Sequence, residues 1–260
     1  MFIGIDIGST SSKAAVIDGE GNLLSHEVAN LGAGTSGPGD AIGRALSVAG
    51  ISRSDISFSV VTGYGRVSYK DANKQMTEIS CHAKGATFLI ETEIATIIDI
   101  GGQDAKVIRL DENGNVKNFV MNEKCAAGTG RFLEVMARVL GVPIENLSEL
   151  ASKATHDIPI SSVCTVFAES EVISRLASGE SLEDVAKGAL AAVAKRIAGM
   201  SNRVGYAPPI VMTGGVALNE SIVRLIGIEL GEAVTVAPYP QSVGAIGAAA
   251  YAYEIMGKSQ

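Results

Sequence analysis

One short motif occurs twice in this chain, with the two copies 93 residues apart. The first reads Asp-Ile-Gly-Ser-Thr-Ser-Ser-Lys over residues 6–13, and the second reads Asp-Ile-Gly-Gly-Gln-Asp-Ala-Lys over residues 99–106. Over the longer stretches 5–23 and 98–116, 8 of 19 positions are identical: Ile5/Ile98, Asp6/Asp99, Ile7/Ile100, Gly8/Gly101, Lys13/Lys106, Asp18/Asp111, Gly21/Gly114 and Asn22/Asn115. Two such strand–turn–strand units can face each other across a cleft, and their small-residue turns can wrap a polyphosphate and its metal.

Each copy is predicted to continue through a polar turn into a third strand. The six strands are expected at 2–7, 12–17, 23–29, 94–100, 104–110 and 115–121. Helices are expected near 38–50, 77–90, 127–140, 146–153, 165–178, 182–204, 219–230 and 241–256, with further strands at 56–62, 209–213 and 233–236. Strands that alternate with helices in each half predict an α/β fold with helices covering the sheets.

Composition excludes several classes of protein. The chain has 260 residues, 47% hydrophobic, and a net charge of −7 without a basic stretch, which argues against a nucleic-acid partner. The N-terminus lacks a basic leader before an apolar core, and no apolar run approaches the roughly 20 residues of a membrane span. These features predict a cytoplasmic protein without a membrane partner. Three cysteines argue against a disulfide framework.

The first copy of the motif has the chemistry of an anion site. Hydroxyls and backbone N–H groups in a turn form concave anion sites, and a lysine at the start of the next strand can reach a phosphate. Asp6 and Asp99 fit a Mg²⁺ ion, which takes one or two carboxylates together with waters and phosphates. The alternative interpretation is that the two motifs are ordinary hairpins with solvated ends. The repetition of the motif makes this alternative weaker. The phosphate-lining candidates are Ser9, Thr10, Ser11, Ser12 and Lys13.

Two further glycine-containing segments have weaker signals. The strand at 209–213 leads into Gly214 and Gly215, where a backbone without side chains can approach a flat ligand such as adenine. Many ordinary strand–helix turns have the same pattern. Near the C-terminus, Gly244–Ala250 offers a small-residue helix face, for which tight helix packing is the favoured interpretation.

The order Asp-Ile-Gly-Ser-Thr, Asp-Ile-Gly-Gly and Thr-Gly-Gly resembles the ATPase fold shared by actin, sugar kinases and Hsp70 chaperones. This resemblance implies two ribonuclease-H-like domains that close over ATP and Mg²⁺, with a nucleotide cleft between them. The first domain is expected to comprise residues 1–92 and 240–260. The second is expected to comprise 93–239 and to carry the cysteines that are considered next.

Two cysteine-containing segments, 121–132 and 161–171, resemble one branch of this superfamily more specifically. That branch contains the activators (component A) of 2-hydroxyacyl-CoA dehydratases, which are related to the ATPase subunits of benzoyl-CoA reductase. The segments 62–66 and 80–83 also look like this branch. The resemblance extends over essentially the whole chain.

Cys125 and Cys164 are each predicted to lie just before a helix, where partial positive charge stabilises thiolates. Spacing alone leaves buried, inert cysteines as the ordinary alternative. The resemblance implies instead that both are ligands of one [4Fe–4S] cluster shared between the two subunits of a homodimer, since such a cluster takes four thiolates. Cys81 is expected to be structural, and the three histidines to be surface or packing residues.

The resemblance also implies the remaining roles. Reduced ferredoxin or flavodoxin loads an electron, ATP is hydrolysed to ADP, and the electron passes to the dehydratase component. Gln103 is expected to orient the attacking water, with Asp104 as the alternative. Asp6 and Asp99 would hold Mg²⁺ through water, Gly214 and Gly215 would flank the adenosine, and Gln241 would contact it.

Other functions of the same fold remain open at this stage. They include an ATPase subunit of a benzoyl-CoA reductase-type enzyme, a small-molecule kinase such as a sugar kinase, and a chaperone-like or polymer-forming ATPase. For the activator, hydroxyacyl-CoA substrates derived from glutamate, leucine, phenylalanine or lactate fit equally well.

Overall fold

The computed structural model of the chain describes residues 1–123, 125–161 and 164–257. Lys124, Ser162 and Val163, which belong to the two cysteine segments, lie outside the described residues. Contacts divide the chain into two compact units. The first unit contains Met1–Ile94, Leu110–Lys117 and the chain from Ala237 onward, and the second contains Ala95–Arg109 and Asn118–Val236.

The first sheet has the strand order β3-β2-β1-β4-β5. Strands β1, β2 and β3 form an antiparallel meander, β4 adds in parallel beside β1, and β5 adds in parallel beside β4. The strands are β1 (Phe2–Ile7), β2 (Ser12–Ile17), β3 (Leu23–Ala29), β4 (Phe58–Thr62) and β5 (Lys74–Gln75). The helices of this unit are α1 (Gly37–Ala49), α2 (Glu78–Leu89) and α8 (Val243–Gly257), with short 3-10 turns at Arg53–Asp55 and Tyr64–Val67.

Alternation along β1 and β2 explains why this sheet is covered on both faces. Ile3, Ile5 and Val16 pack in one core with α1. Ala15 and Ile17, which point to the opposite face, pack with α8. A strand with apolar residues on both faces reads as a continuous hydrophobic run and is buried on both sides.

The glycines of α8 permit very close packing, as the small-residue face predicted. A Cβ atom at Gly247 would lie 1.8 Å from the Cys81 carbonyl oxygen on α2. A Cβ atom at Gly4 of β1 would lie 2.0 Å from the Ala245 carbonyl oxygen. Side chains at these positions would therefore separate α8 from both its neighbours, and the interpretation as a helix-packing face is confirmed.

The second sheet has the strand order β10-β9-β6-β7-β8. Its strands are β6 (Thr96–Ile100), β7 (Ala105–Leu110), β8 (Val116–Asn122), β9 (Ile210–Thr213) and β10 (Val234–Val236). Strands β6 and β7 are antiparallel, whereas β9 and β10 add in parallel. The helices are α3 (Gly130–Leu140), α4 (Leu147–Ser152), α5 (Thr165–Ala177), α6 (Leu182–Val204) and α7 (Glu220–Leu230), with 3-10 turns at Ile144–Asn146 and Gly215–Leu218.

The same strand order in the two sheets confirms the predicted duplication and the α/β fold class. In each sheet the chain forms a meander of three strands and then adds a parallel strand beside the first. The domain boundaries expected from sequence stay a prediction. In the division by contacts, Leu110–Lys117 belongs to the first unit although this stretch joins β7 to β8. Among the described residues no helix has the length and apolar character needed to cross a membrane.

Candidate active site

The turn between β1 and β2 is closed by its own backbone. The Gly8 N–H donates to the Ser11 carbonyl at 3.0 Å, and the Gly8 carbonyl accepts from the Ala33 N–H at 2.9 Å. Ser9 and Thr10 are exposed, whereas Ser12 is buried and its hydroxyl donates to the Leu31 carbonyl at 2.9 Å. The exposed hydroxyls at the tip are therefore available to an anion, and the Ser12 hydroxyl is already used in holding the turn.

Asp6 lies at the end of β1 with an exposed fraction of 3%. Lys13 Nζ is 3.3 Å from Asp6 Oδ2, whereas buried Asp6 Oδ1 makes no hydrogen bond with any described residue. A Cβ atom at Gly63 would lie 2.4 Å from Oδ1, so the glycine leaves this oxygen uncovered. Because an unpaired buried carboxylate oxygen is costly, Asp6 Oδ1 marks a position that a cation or water can satisfy.

The turn between β6 and β7 repeats this backbone geometry. The Gly101 N–H donates to the Asp104 carbonyl at 3.0 Å, as Gly8 does to Ser11. Gln103 is exposed at the tip. The equivalence of the two turns therefore includes the hydrogen bond that closes each of them.

Asp99 is held far more tightly than Asp6. Thr213 Oγ1 donates to Asp99 Oδ1 at 2.8 Å, and Lys106 Nζ lies 3.1 Å from Oδ2. The same ammonium lies 2.7 Å from Asp104 Oδ2. Lys106 is completely buried. The second turn thus contains a compact group of one cation and two carboxylates.

The sequence comparison missed a further part of the repeat. Thr62 is opposite Asp6 in the pairing of β1 with β4, and Thr213 is opposite Asp99 in the pairing of β6 with β9. The residues after these threonines, Gly63 and Gly214, both have φ of 86°. The signal was present, since each pair follows two apolar residues at the end of a strand.

The glycines expected near adenosine have a structural requirement of their own. A Cβ atom at Gly214 would lie 2.3 Å from the Ile100 carbonyl oxygen, so strand packing alone demands glycine there. Gly215 begins the 3-10 turn. Gln241, in the first unit, is half-buried shortly before α8. Nucleotide contacts by these three residues stay predictions.

The two cysteines differ in their relation to the helices. Cys164 is the N-cap of α5, and its carbonyl accepts from the Ala168 N–H at 3.0 Å. Cys125 was expected just before a helix at 127, but α3 begins at Gly130 with Thr129 as its N-cap. The expectation was wrong because Gly128 has φ of 85°, a left-handed conformation that interrupts the helix.

The Cys125 segment is nevertheless well anchored. Asn122 Nδ2 donates to the carbonyls of Cys125 and Ala127 at 2.9 and 3.1 Å. Thr129 Oγ1 donates to the Ala126 carbonyl at 2.7 Å. Both Cys125 and Cys164 are free and half-buried. Hydrogen bonds therefore replace helical structure in positioning the first thiol.

The start of α3 is bonded directly to the turn between β6 and β7. The Gly130 N–H donates to the Gly101 carbonyl at 2.9 Å, and the Arg131 N–H donates to the Gly102 carbonyl at 2.8 Å. The first N–H groups of a helix lack partners within the helix. Here two of them are satisfied by the turn that carries Gln103.

Cys81 contrasts with the other two cysteines. It is completely buried on α2, and burial raises the pKa of its thiol to about 12. A thiol of this kind does not form the thiolate that ligates metals near neutral pH. The structural role expected for Cys81 agrees with this environment.

The three histidines occupy different surroundings. His82 is buried on α2, and the His26 ring lies 4.0 Å from that of Tyr239, where burial lowers its pKa. His156 is exposed, 3.4 Å from a carboxylate oxygen of Asp184. His82 and His26 thus occupy packing positions, and His156 occupies a surface position.

The profile of the BadF/BadG/BcrA/BcrD ATPase family matches residues 3–252. The chain belongs to this family. One relative is the activator of lactoyl-CoA dehydratase from Anaerotignum propionicum, 54% identical over 252 residues and 97% of each chain. Another is the (R)-2-hydroxyglutaryl-CoA dehydratase activating ATPase of Acidaminococcus fermentans, 48% identical over 97% of this chain and 96% of the relative.

A solved structure also shows similarity to a dehydratase activator. The activator of the 2-hydroxyisocaproyl-CoA dehydratase from Clostridium difficile, with bound ADPNP, matches with a TM-score of 0.95 and 47% identity, over 100% of this chain and 97% of that one. The resemblance to dehydratase activators, which the cysteine segments indicated, is confirmed. The ATPase family description also agrees with an ATP-hydrolysing enzyme.

Proposed function

We propose that this chain is the ATP-hydrolysing iron–sulfur activator of a (R)-2-hydroxyacyl-CoA dehydratase. The observation that carries the proposal is the 54% identity with the activator of lactoyl-CoA dehydratase over 97% of the chain. The described residues supply the two chemical elements that this function needs. They are a pair of carboxylate-bearing turns and two free, half-buried cysteines.

In this proposal the first turn binds phosphates. Ser9 and Thr10 offer exposed hydroxyls, and the turn adds backbone N–H groups around them. Lys13 supplies a cation already held at 3.3 Å from Asp6. ADPNP in the related structure supports ATP and ADP as the nucleotides.

Asp6 fits the Mg²⁺ that accompanies a nucleotide. Its buried Oδ1 makes no hydrogen bond with any described residue, and Mg²⁺ is usually held by one or two carboxylates with waters and phosphates. Bound Mg²⁺ supplies charge neutralisation for the transferred phosphoryl group. Asp99, beside the second turn, is proposed to hold Mg²⁺ through water. Gln103 is proposed to orient the attacking water.

Cys125 and Cys164 fit a [4Fe–4S] cluster held by two subunits. One chain offers two thiols of this kind, and a cluster takes four, so a symmetric homodimer satisfies the count. Buried Thr165 Oγ1, next to Cys164, makes no hydrogen bond with any described residue and can donate to a ligand at the helix start. A bound cluster would supply one-electron transfer.

The proposed partners follow from the electron path. Reduced ferredoxin or flavodoxin would load the electron, and the dehydratase component would receive it in the cytoplasm. Nucleotide binding can alter this transfer only if ATP binds two conformations with different affinity. Because α3 is hydrogen-bonded to the second turn, a conformational change of this turn can be transmitted to the Cys125 segment.

The first experiment measures iron, acid-labile sulfide and ATP hydrolysis in protein purified under strict anoxia. About two irons per chain would fit one four-iron cluster shared by two subunits. The variants Cys125→Ser and Cys164→Ser should each lose the iron, whereas Cys81→Ala, the matched control, should keep it. Iron-free wild-type protein that hydrolyses ATP would contradict the cluster assignment.

The same preparation separates the activator from the remaining alternative functions. An activator should switch on a purified 2-hydroxyacyl-CoA dehydratase when ATP and a reductant are present. A benzoyl-CoA reductase-type subunit would require a different homologous chain instead of a homodimer. A sugar kinase would phosphorylate its substrate without iron. Testing dehydratases for lactoyl-, 2-hydroxyisocaproyl- and 2-hydroxyglutaryl-CoA would identify the partner.

A further inference from the structure

Lys106 joins the two ends of the turn between β6 and β7. Its side chain is buried, with an exposed fraction of 1%. Its ammonium lies 3.1 Å from Asp99 Oδ2, just before the turn, and 2.7 Å from Asp104 Oδ2, at the end of the turn. An ammonium taken out of water needs charged partners, and removing this ammonium would leave the buried Asp99 carboxylate without its compensating charge.

Asp99 is fixed from a second side. Thr213 Oγ1 donates to Asp99 Oδ1 at 2.8 Å, so both carboxylate oxygens have protein partners. The Asp99 carboxylate is therefore an anchor for Lys106, and through Lys106 for Asp104.

Asp104 is turned towards its own loop. Oδ2 faces the Lys106 ammonium at 2.7 Å. Oδ1 would lie 2.8 Å from a Cβ atom at Gly101, so it lies against the glycine at the other end of the turn. A group that orients an attacking water needs an oxygen within hydrogen-bond reach of that water. The Asp104 side chain is 26% exposed, and Gln103 is more exposed, at the tip of the turn.

We propose that Lys106 is a positioning residue that ties Asp104 to Asp99 and thereby presents Gln103 to the attacking water. Asp104 is then part of the scaffold of the turn and does not orient the water. This inference rests on the proposed ATP hydrolysis and decides between the two residues that the sequence offered for that role.

The arrangement is not a general consequence of the repeated fold. At the position of Asp104 the first turn has Ser11, which offers no second carboxylate. Lys13, the counterpart of Lys106, lies 3.3 Å from Asp6 and is more exposed, at 15% of its side chain. The three-membered charge group therefore belongs to the second copy of the motif.

The test compares kcat and KM for ATP hydrolysis and the Kd of ADPNP in four variants. Gln103→Ala should lower kcat by about 100-fold or more, while the ADPNP Kd stays within about threefold. Asp104→Asn should lower kcat by less than about tenfold, since it removes a scaffold charge and not the water contact. Lys106→Met should lower kcat by more than about tenfold, and adding Asp104→Asn to it should restore at least part of that loss.

The matched control is Lys153→Met, which removes an exposed lysine paired with Glu149 and should leave kcat unchanged. If Lys106→Met does not fold, Lys106→Met/Asp104→Asn is compared with Asp104→Asn alone. Similar kcat values, within about threefold, would support action through Asp104, and a further loss of about 100-fold would overturn it.

Two other outcomes would also overturn the inference. One is an Asp104→Asn variant that loses as much kcat as Gln103→Ala, and the other is a folded Lys106→Met variant with wild-type kcat. A wild-type protein that binds no ADPNP and hydrolyses no ATP would contradict the proposed function itself, and this inference with it.

Discussion

The two copies of the motif share a backbone and differ in how their aspartates are held. Each turn is closed by the same hydrogen bond at 3.0 Å, and each aspartate faces a threonine on the neighbouring parallel strand. Asp99 receives a hydrogen bond from its threonine and contacts a buried lysine. Asp6 keeps one oxygen without a hydrogen bond to any described residue. The duplicated scaffold thus supports one fixed carboxylate and one available carboxylate.

The largest expected difference between the copies concerns their lysines. Lys106→Met should lower the free energy of unfolding by about 3–5 kcal/mol, because the buried Asp99 and the partly exposed Asp104 lose their cation. Lys13→Met should cost less, about 2–3 kcal/mol, since Lys13 is partly solvated and its loss leaves one buried carboxylate without its cation. Urea denaturation of both variants measures the difference. Equal losses would show that the two aspartates are held equally.

The glycines that follow the threonines should, by contrast, behave alike. Gly63→Ala and Gly214→Ala should each lower the free energy of unfolding by about 2–4 kcal/mol, from left-handed backbone strain and backbone contacts below 3.0 Å. Only Gly63→Ala places a methyl group against the aspartate oxygen, so only this variant should reduce the gain in ADPNP affinity that Mg²⁺ provides. Calorimetric titration with and without Mg²⁺ separates the two effects, and a similar loss in both variants would contradict the asymmetry.

The threonines provide a finer comparison. Thr213→Val removes a donor to a buried carboxylate and should cost about 1–2 kcal/mol. Thr62→Val should cost less than about 0.5 kcal/mol, because the Thr62 hydroxyl has at most a weak contact with the Cys81 thiol. Thermal unfolding of the two variants, with identical buffer and nucleotide-free protein, gives the ranking. A reversed ranking would place the tighter aspartate in the first copy.

The smallest effect is expected where the copies agree most closely. Asp18 and Asp111 each accept two backbone N–H groups within the polar turn. The pKa of both carboxyls is lowered from 3.8, for Asp18 first by the Asn22 side-chain amide and then by the backbone N–H groups, and for Asp111 first by the Asn115 backbone N–H. A lowered folded-state pKa adds stability above pH 3.8 that is lost as pH falls through the folded pKa. Asp18→Asn and Asp111→Asn should therefore lower Tm slightly at pH 7 and converge on wild type in acid. A marked difference between them would show that the turns are not equivalent.

Most of the framework was predictable from local pattern. The strands at 2–7, 12–17 and 23–29 have the predicted bounds, because short apolar runs are separated there by clear turn residues. The equal strand order of the sheets follows from the repeat itself. The resemblance to dehydratase activators was carried by the cysteine segments and is confirmed by the relatives.

What could not be predicted depends on contacts between distant residues. The start of α3 was placed too early, since Ala126 and Ala127 favour a helix and the left-handed Gly128 interrupts it. The unequal bonding of Asp6 and Asp99 requires the position of Thr213, more than 100 residues along the chain from Asp99. The identical aspartates of the two motifs therefore lie in different environments, which the sequence of the motif does not reveal.

Because the start of α3 is hydrogen-bonded to the second turn, only a short stretch of chain separates this turn from the Cys125 thiol. From Asp104 to Cys125 the covalent path is 21 residues (125 − 104), whereas from Gly130 it is five (130 − 125). Five extended residues span at most about 18 Å. A shift of about 1 Å at the Gly102 carbonyl would either break the 2.8 Å bond or carry the first turn of α3 with it. The Cys125 thiol is thus at the end of a short covalent tether whose anchor is the turn that carries Gln103.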